Sequence, residues 1–252
     1  MSSHRLARQM VAALGAAGVL GLAAGSPAGA STAGSAGRAN TAAHVQASQE
    51  LVVLLAAQTA HQAPEASSPA VAAVAPQRPI TGEQTTLPVL ARSIGAGGTR
   101  WLQVMLPGRP DGLTGWITQP GTRPAVTDWR IVLDLGARRV TVYNDGSRVR
   151  TFKAVVGKPS TPTPTGQFFV EEVVQMQRGE PGGPFALALS ARSNALQEFE
   201  GGPGQIAMHG RDNLGGTLGA AESHGCVRLG TPAIDWLAAR IGDGTPVTIN
   251  AG

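Results

Sequence analysis

The residues best suited to chemistry are a lone cysteine and two histidines near the carboxyl end of the chain. Cys226 is the only cysteine among 252 residues, and it lies two residues after His224 and 17 residues after His209. It follows Gly225 and has polar residues close by in the sequence, whereas a structural cysteine is usually buried among apolar side chains. A histidine, a helix amino terminus or an arginine such as Arg228 can each lower the pKa of a nearby thiol. The pattern therefore favours a nucleophilic thiol that attacks a carbonyl carbon.

Three interpretations of this cluster stay open on composition and spacing alone. For a catalytic thiol, Gly225 would let the N–H groups of Gly225 and Cys226 point toward a developing oxyanion. For a catalytic zinc site, His209, His224 and Cys226 would supply three ligands, with Glu222 as the only nearby general base. The third interpretation is a buried cysteine beside two hydrogen-bonded histidines.

The segment that contains these residues is predicted to be mainly strands. Short apolar runs alternate with turn residues from Arg130 onward. Asn144-Asp145-Gly146 is typical of a tight hairpin, because Asn and Gly tolerate positive φ. A Pro-rich turn follows at residues 158–164, and residues 245–250 predict the last strand. The fold class is therefore predicted to be mainly β.

One helix is predicted directly after the cysteine. Thr231 is its expected N-cap, Pro232 its first helical residue and Gly242 its stop. Residues 176–200 are rich in Gly and Pro, and they predict a loop before the candidate site.

The amino terminus has the layout of a secretory signal peptide over residues 1–30. Arg5 and Arg8 precede an apolar run at residues 10–24, and small residues predict cleavage after Ala30. An uncleaved membrane anchor is the alternative, although this run is shorter than the ~20 residues of a membrane span. Without the two arginines the formal net charge of +4 falls to +2, which is too weak to argue for nucleic acid binding.

Residues 31–86 are predicted to be a disordered linker. All ten aromatic residues lie at or after Trp101, and the linker is mostly Ala, Ser, Gly, Thr, Pro and Gln. Within it, residues 48–60 predict a short amphipathic helix, and His44 and His61 are expected to be solvated.

A small β module is predicted at residues 87–122. Its strand-like runs are residues 87–92, 101–106 and 115–118, separated by Gly- and Pro-rich turns. So short a segment buries little surface alone, so we expect it to pack on its neighbour. Contact with the cell wall and a spacer role stay equally open for it.

At this point the residues match a known family. His209-Gly210, a Gly-rich gap and then Ser-His-Gly-Cys-Val-Arg-Leu at residues 223–229 resemble the L,D-transpeptidase catalytic domain, the YkuD-like fold. The similarity extends over residues 130–250 and includes Thr-Pro-Thr-Pro-Thr-Gly-Gln-Phe at residues 161–168. The segment upstream resembles an SH3-like module that precedes this domain in some family members.

The resemblance implies a fold and a role for each site residue. Residues 127–252 would form an L,D-transpeptidase-like β-sandwich with one or two short helices, preceded by the SH3-like module at residues 87–122. Cys226 would be the nucleophile, His209 the residue that activates it, and the Gly210 carbonyl would orient the His209 ring. The remaining matched residues would line the site or lie near the thiolate: Ser223, His224, Gly225 and Arg228.

The activity implied is acyl transfer on peptidoglycan stem peptides, without metal or cofactor, in an exported, monomeric protein of the periplasm or cell wall. A thioester would form on the cysteine, and its acyl group would pass to a neighbouring stem to give a 3→3 cross-link. Carbapenem β-lactams would be inhibitors. The alternatives are an L,D-carboxypeptidase that trims tetrapeptides and a catalytically silent wall-binding protein.

Overall fold

The computed structural model describes residues 45–198 and 202–252, and this part of the chain is mainly β. The predicted signal peptide and residues 31–44 of the predicted linker lie outside the described residues. The described strands group into an amino-terminal sheet and a carboxyl-terminal sheet, with one additional strand pair beside the second sheet.

The amino-terminal sheet has seven strands, in the spatial order β3-β2-β6-β5-β4-β1-β7. Their bounds are β1 (Gln49–Leu54), β2 (Gln58–His61), β3 (Ala70–Val74), β4 (Thr86–Ile94), β5 (Arg100–Met105), β6 (Thr114–Thr118) and β7 (Thr122–Thr127). A short 3-10 turn, Ala96–Gly98, joins β4 to β5.

The linker prediction is wrong over residues 45–86. Three of the strands fall there, and β1 and β2 replace the helix predicted over residues 48–60. The reason is that these strands contribute aliphatic side chains to their core, where Leu54, Leu87 and Ile117 are fully buried. The aromatic side chain that packs with them, Phe169, comes from a later part of the chain. His61 is not simply solvated either, because its Nδ1 lies 2.7 Å from the carbonyl oxygen of Ser68.

The predicted module of residues 87–122 is therefore only a part of the observed amino-terminal module, which begins at Gln49 and ends at Thr127. It contributes β4, β5, β6 and the start of β7, and the other strands come from the segment assigned to the linker. The resemblance to an SH3-like module stays a prediction.

The carboxyl-terminal sheet has eight strands, in the order β10-β9-β8-β17-β12-β13-β14-β16. Their bounds are β8 (Trp129–Asp134), β9 (Arg139–Asn144), β10 (Ser147–Lys153), β12 (Gly166–Gln175), β13 (Phe185–Arg192), β14 (Gln205–His209), β16 (Val227–Arg228) and β17 (Pro246–Asn250). The separate parallel pair is β11 (Val156–Gly157) with β15 (Ala221–Ser223).

The prediction of a tight hairpin is confirmed in this domain. The hairpin between β9 and β10 turns through Asp145 and Gly146, both at positive φ of 50° and 69°. By contrast, the predicted loop of residues 176–200 contains β13, whose buried apolar side chains cover both faces of the strand.

The described residues contain one α-helix, α1 (Thr231–Ala238), which packs Ile234 and Leu237 onto the core of this domain. Its N-cap is Gly230 and not the predicted Thr231. The hydroxyl of Thr231 instead donates a 2.8 Å hydrogen bond to the Asp212 carboxylate. No helix in the described ranges is long and apolar enough to cross a membrane.

The module and the carboxyl-terminal domain share strand β12 as a packing surface, and their described residues belong to one compact unit. Neighbouring residues of a strand point to opposite faces. Accordingly, Phe168 is buried in the core of the carboxyl-terminal domain, whereas Phe169 is buried in the core of the module.

Two buried carboxylates of β12 also contact the amino-terminal module. Glu171 accepts a hydrogen bond from Arg78 of the module, and its Oε1 lies 2.8 Å from Nη1 of Arg192. Glu172 accepts the backbone N–H of Thr81 at 2.9 Å. Since a buried carboxylate is costly without partners, these contacts tie the module to the strand that runs through the middle of the second sheet.

Candidate active site

Two neighbouring parallel strands position the cysteine and the first histidine. In the pairing of β14 with β16, Met208 lies opposite Val227 and His209 lies opposite Arg228. Cys226 directly precedes β16, so the same register places it beside Ala207. Paired residues of parallel strands share a face, as do residues two apart along one strand. Cys226 and His209 therefore project from the same face of the sheet.

The sulfur of Cys226 lies against the backbone of β14. Its Sγ is 4.0 Å from the carbonyl oxygen of Gln205, and the N–H of Ala207 hydrogen-bonds to the sulfur. Burial is the largest influence on this thiol and raises its pKa, whereas the Ala207 N–H and the charge of Arg228 act in the opposite direction. The pKa of Cys226 is therefore raised, whereas the sequence predicted that it would be lowered. The reason is that the loss of solvent has a larger effect than the nearby positive charge.

His209 is held as a neutral base. Only 3% of its surface is exposed, and its Nδ1 lies 2.8 Å from the carbonyl oxygen of Gly210. A carbonyl can only accept, so Nδ1 carries the hydrogen and Nε2 is left with a lone pair. Burial, with a contribution from Arg228, lowers the pKa of His209 to about 4, although the Gly210 contact opposes the shift.

Gly210 has no room for a side chain. A Cβ at this position would lie 1.8 Å from the carbonyl oxygen of Gly183 and 3.0 Å from that of Gly182. The turn before β13 thus closes on the residue that orients the histidine. Gly182 and Gly183 were not predicted as site residues, because they are distant in the chain and carry no functional group.

The turn that carries the cysteine is fixed by two hydroxyl groups. Ser223 is fully buried, and its Oγ donates to the carbonyl oxygen of Cys226 at 2.6 Å and accepts the N–H of Gly225 at 3.2 Å. Thr163 Oγ1 donates to the carbonyl oxygen of Gly225 at 2.7 Å and accepts the N–H of Gly157 at 2.9 Å. The Pro-rich turn of residues 158–164 thereby braces the cysteine turn.

These bonds change the expected oxyanion donors. The sequence predicts the N–H groups of both Gly225 and Cys226, but the first of them is already bonded to Ser223 Oγ. Gly225 itself has a φ of +121°, and a Cβ there would lie 3.0 Å from Ile206 Cδ1, so this position requires glycine.

His224 lies beside Lys158, a residue that the sequence analysis did not assign to the site. Lys158 Nζ is 3.4 Å from Nε2 of His224, and the Lys158 N–H donates to the carbonyl oxygen of Ser223 at 3.0 Å. Burial, Lys158 and Arg228 together lower the pKa of His224. A neutral imidazole that accepts from the ammonium group is therefore the state favoured near pH 7.

Arg228 anchors the Gly-rich segment that precedes the cysteine. Its Nη1 donates to the carbonyl oxygen of Gly215 at 2.9 Å, and Arg211 Nη1 donates to that of Gly216 at 2.7 Å. Arg228 also interacts electrostatically with Cys226, where it favours the thiolate.

Comparisons with known proteins point to one family. The family model of the YkuD L,D-transpeptidase catalytic domain matches residues 128–249. A Bacillus subtilis protein assigned as the L,D-transpeptidase YkuD is 31% identical over 161 residues, which are 63% of this chain and 80% of the relative. Its Bacillus licheniformis counterpart is 32% identical over 134 residues, 52% of this chain and 71% of the relative. The chain belongs to the YkuD family of L,D-transpeptidases.

Solved structures of L,D-transpeptidases are also similar to the chain. An L,D-transpeptidase from Mycobacterium smegmatis is 20% identical, with 66% of this chain and 99% of that chain covered and a TM-score of 0.38. One from Mycobacterium tuberculosis, L,D-transpeptidase 3, is 15% identical, with 66% and 91% covered and a TM-score of 0.41.

All the predicted site residues lie inside the range that the YkuD model matches, and the structure brings them together around the ends of β14 and β16. The zinc interpretation finds no ligand set: across residues 45–198 and 202–252, no three His, Cys, Asp or Glu side chains are grouped to hold a metal ion. Glu222, the base considered for that interpretation, instead accepts the N–H of Thr217 at 2.9 Å.

Proposed function

We propose that this chain is an exported peptidoglycan L,D-transpeptidase that forms 3→3 cross-links through a thioester on Cys226. The observation that carries the proposal is the shared face of Cys226 and His209 on neighbouring strands, with the Nε2 lone pair of His209 left available by the Gly210 contact. A buried neutral imidazole is suited to accept a proton from a thiol as the sulfur attacks.

In the first half-reaction, Sγ of Cys226 attacks the carbonyl carbon between the third and fourth residues of a donor stem, and His209 Nε2 takes the thiol proton. The Cys226 N–H is the proposed donor to the oxyanion, and the charge of Arg228 favours the sulfur anion. When the intermediate collapses, the C–N bond breaks, the protonated His209 returns its proton to the amine, and D-Ala leaves. The product is a thioester.

In the second half-reaction, the side-chain amine of a diamino acid in a neighbouring stem attacks the thioester carbonyl. His209 takes a proton from that amine, the C–S bond breaks, and the Cys226 sulfur is reprotonated. The new amide joins two third residues, and the chain returns to its starting state. No step requires a cofactor.

Other roles follow from the arrangement around the sulfur. Ser223 and Gly225 fix the cysteine turn, and His224 lines the site beside Lys158. We further propose that carbapenems acylate the same sulfur, since a strained β-lactam carbonyl offers the nucleophile an equivalent target. The segment of residues 1–30 is proposed to be a signal peptide, which would deliver the chain to the peptidoglycan outside the cytoplasmic membrane.

The test is incubation of the purified chain with disaccharide-tetrapeptides, followed by mass spectrometry of the products, with C226A as the control. Cross-linked dimers that are absent with C226A support the proposal. Shortened tripeptide monomers without dimers would assign the chain as an L,D-carboxypeptidase, in which water takes the thioester. Unchanged substrate would favour a wall-binding protein.

A further inference from the structure

A side chain of the amino-terminal module reaches the catalytic domain next to the active site. Arg109 lies in the turn between β5 and β6, and its guanidinium donates to three carbonyl oxygens of the catalytic domain. Nη1 bonds Pro203 at 2.7 Å, and Nη2 bonds Ser193 at 2.8 Å and Leu196 at 3.2 Å. The Arg109 side chain thus joins both limbs of the chain between β13 and β14.

We call residues 193–198 and 202–204 the rim segment. Its two limbs meet at their base, where the N–H of Ser193 donates to the carbonyl oxygen of Gly204 at 2.8 Å. The closure is tight: Gly204 has a φ of +64°, and a Cβ there would lie 2.0 Å from the carbonyl oxygen of Leu196. The same module turn makes a second attachment, since Asp111 accepts the N–H of Arg192 at 2.8 Å.

The rim segment continues directly into a residue that contacts the proposed nucleophile. Gln205, the residue after it, is the one whose carbonyl oxygen lies 4.0 Å from Sγ of Cys226. The side chain of Gln205 donates a 3.1 Å hydrogen bond to the carbonyl oxygen of Leu189. Pro203, which Arg109 holds, is therefore only two residues from an atom in contact with the sulfur.

We propose that Arg109 is a positioning residue: by clamping the rim segment, it lets the amino-terminal module fix the backbone that leads into Gln205, beside the sulfur of Cys226. Asn194 and Gln197 of this segment are exposed, so their side chains are available to a stem peptide that binds beside it. Arginine suits the task because its planar fork bonds several carbonyls at once, which a lysine ammonium does not reproduce. The substrate class rests on the function proposed above.

The experiment compares R109A and R109K with the unsubstituted chain and with R123A, a control that removes an exposed arginine of β7 in the same module. Three quantities are measured for each: D-Ala release from a tetrapeptide donor as kcat and KM, the rate of Cys226 alkylation by iodoacetamide, and the thermal midpoint. We expect R109A to raise KM roughly 10-fold, since a misplaced binding surface weakens substrate positioning. Its kcat, alkylation rate and midpoint should stay close to those of R123A.

R109K is expected to have an intermediate KM. An R109A protein with the KM of R123A would overturn the proposal. So would a loss of thermal midpoint and alkylation rate that matches the loss in kcat/KM, because Arg109 would then serve stability alone. If R109A fails to fold, an unchanged KM in R109K overturns the proposal. A chain that releases D-Ala yet forms no dimers would contradict the 3→3 activity, while the Arg109 comparison could still be made from D-Ala release.

Discussion

Thr163 and Gly225 are joined by a 2.7 Å hydrogen bond although they are 62 residues apart in the chain. The bond connects the Pro-rich turn to the residue before the proposed nucleophile. The shape of the cysteine turn thus depends on a hydroxyl that lies outside the motif surrounding Cys226.

Replacing this hydroxyl by a methyl group should disturb the site. Thr163→Val removes one donor and one acceptor from a side chain that is 3% exposed, which should cost about 1–3 kcal/mol of unfolding free energy. Cys226 acylation should slow as its turn loosens. Thr161→Val is the matched control, because its hydroxyl makes only a 3.3 Å contact to Ser223. Denaturant unfolding and intact-mass kinetics report the two effects, and equal losses in both variants would contradict this role of Thr163.

The proposed roles of the cysteine and histidines predict different failures in a carbapenem acylation assay. Cys226→Ala should gain no drug mass, and Cys226→Ser should be almost as inactive because a hydroxyl is a much weaker acid. His209→Ala should slow acylation by about 10²–10⁴-fold, with recovery as the pH rises. Since burial raises the pKa of the Cys226 thiol, that recovery should need a pH above the ordinary thiol range.

His224→Ala should slow the reaction less than His209→Ala, because His224 is assigned to lining the site. Intact mass measured across pH for the four variants decides between the roles. Drug mass on Cys226→Ala would refute the nucleophile, and a larger loss in His224→Ala would exchange the roles of the two histidines.

The pH dependence of acylation should carry the signature of a buried imidazole. Because the pKa of His209 is lowered to about 4, the low-pH limb of kcat/KM should have its midpoint near pH 4. An ordinary histidine would place that midpoint near 6.5. The depressed pKa of His209 also affects the free energy of unfolding. Its stabilising contribution is present above about pH 6.5 and is lost as the pH falls toward 4. A histidine titration by nuclear magnetic resonance checks the assignment, and a midpoint near 6.5 for His209 would contradict it.

Gly210→Ala should be severely destabilising, because its Cβ would overlap the carbonyl oxygen of Gly183. We expect a loss of about 3 kcal/mol or more, together with loss of acylation as the His209 contact shifts. Gly215→Ala is the control: nothing lies within 4 Å of a Cβ at that position, so its stability should change by about 0.5 kcal/mol or less. Thermal unfolding of both variants gives the comparison, and a well-folded, active Gly210→Ala protein would show that the close approach is absent.

Asp243, next to the junction of module and domain, should make stability fall with rising pH. Burial, with Glu83 and Glu172 nearby, raises the pKa of Asp243 to about 7. Its folded-state pKa lies above the unfolded value, so the stability it confers is full below about pH 4 and is lost as the pH rises through 7. Asp243→Asn should therefore stabilise the chain about 1–3 kcal/mol more at pH 8 than at pH 4. Asp235→Asn, at an exposed site on α1, should show no such difference.

The sequence predicted the parts of this molecule that local patterns determine. The hairpin at Asp145-Gly146 and the helix after the cysteine both depend on residues close together in the chain. The contact between the Gly210 carbonyl and His209 was expected from the family resemblance, and the two atoms lie 2.8 Å apart.

The sequence did not predict features that depend on distant partners. Strands β1, β2 and β3 lack aromatic residues, and their core is completed by Phe169 from another part of the chain. The contact between Arg109 and Pro203 joins residues 94 apart. Neither pairing leaves a periodic or compositional signal, because the partners come together only when both sheets have formed.

The two adjacent phenylalanines of β12 have a consequence for the order in which the molecule can assemble. A chain that emerges amino terminus first completes all seven strands of the module while Phe169, which fills their core, is still to come. The core of the module therefore stays incomplete until β12, in the middle of the catalytic domain, has been synthesised. Its final closure then coincides with that of the second sheet, so the two halves should melt in a single cooperative transition.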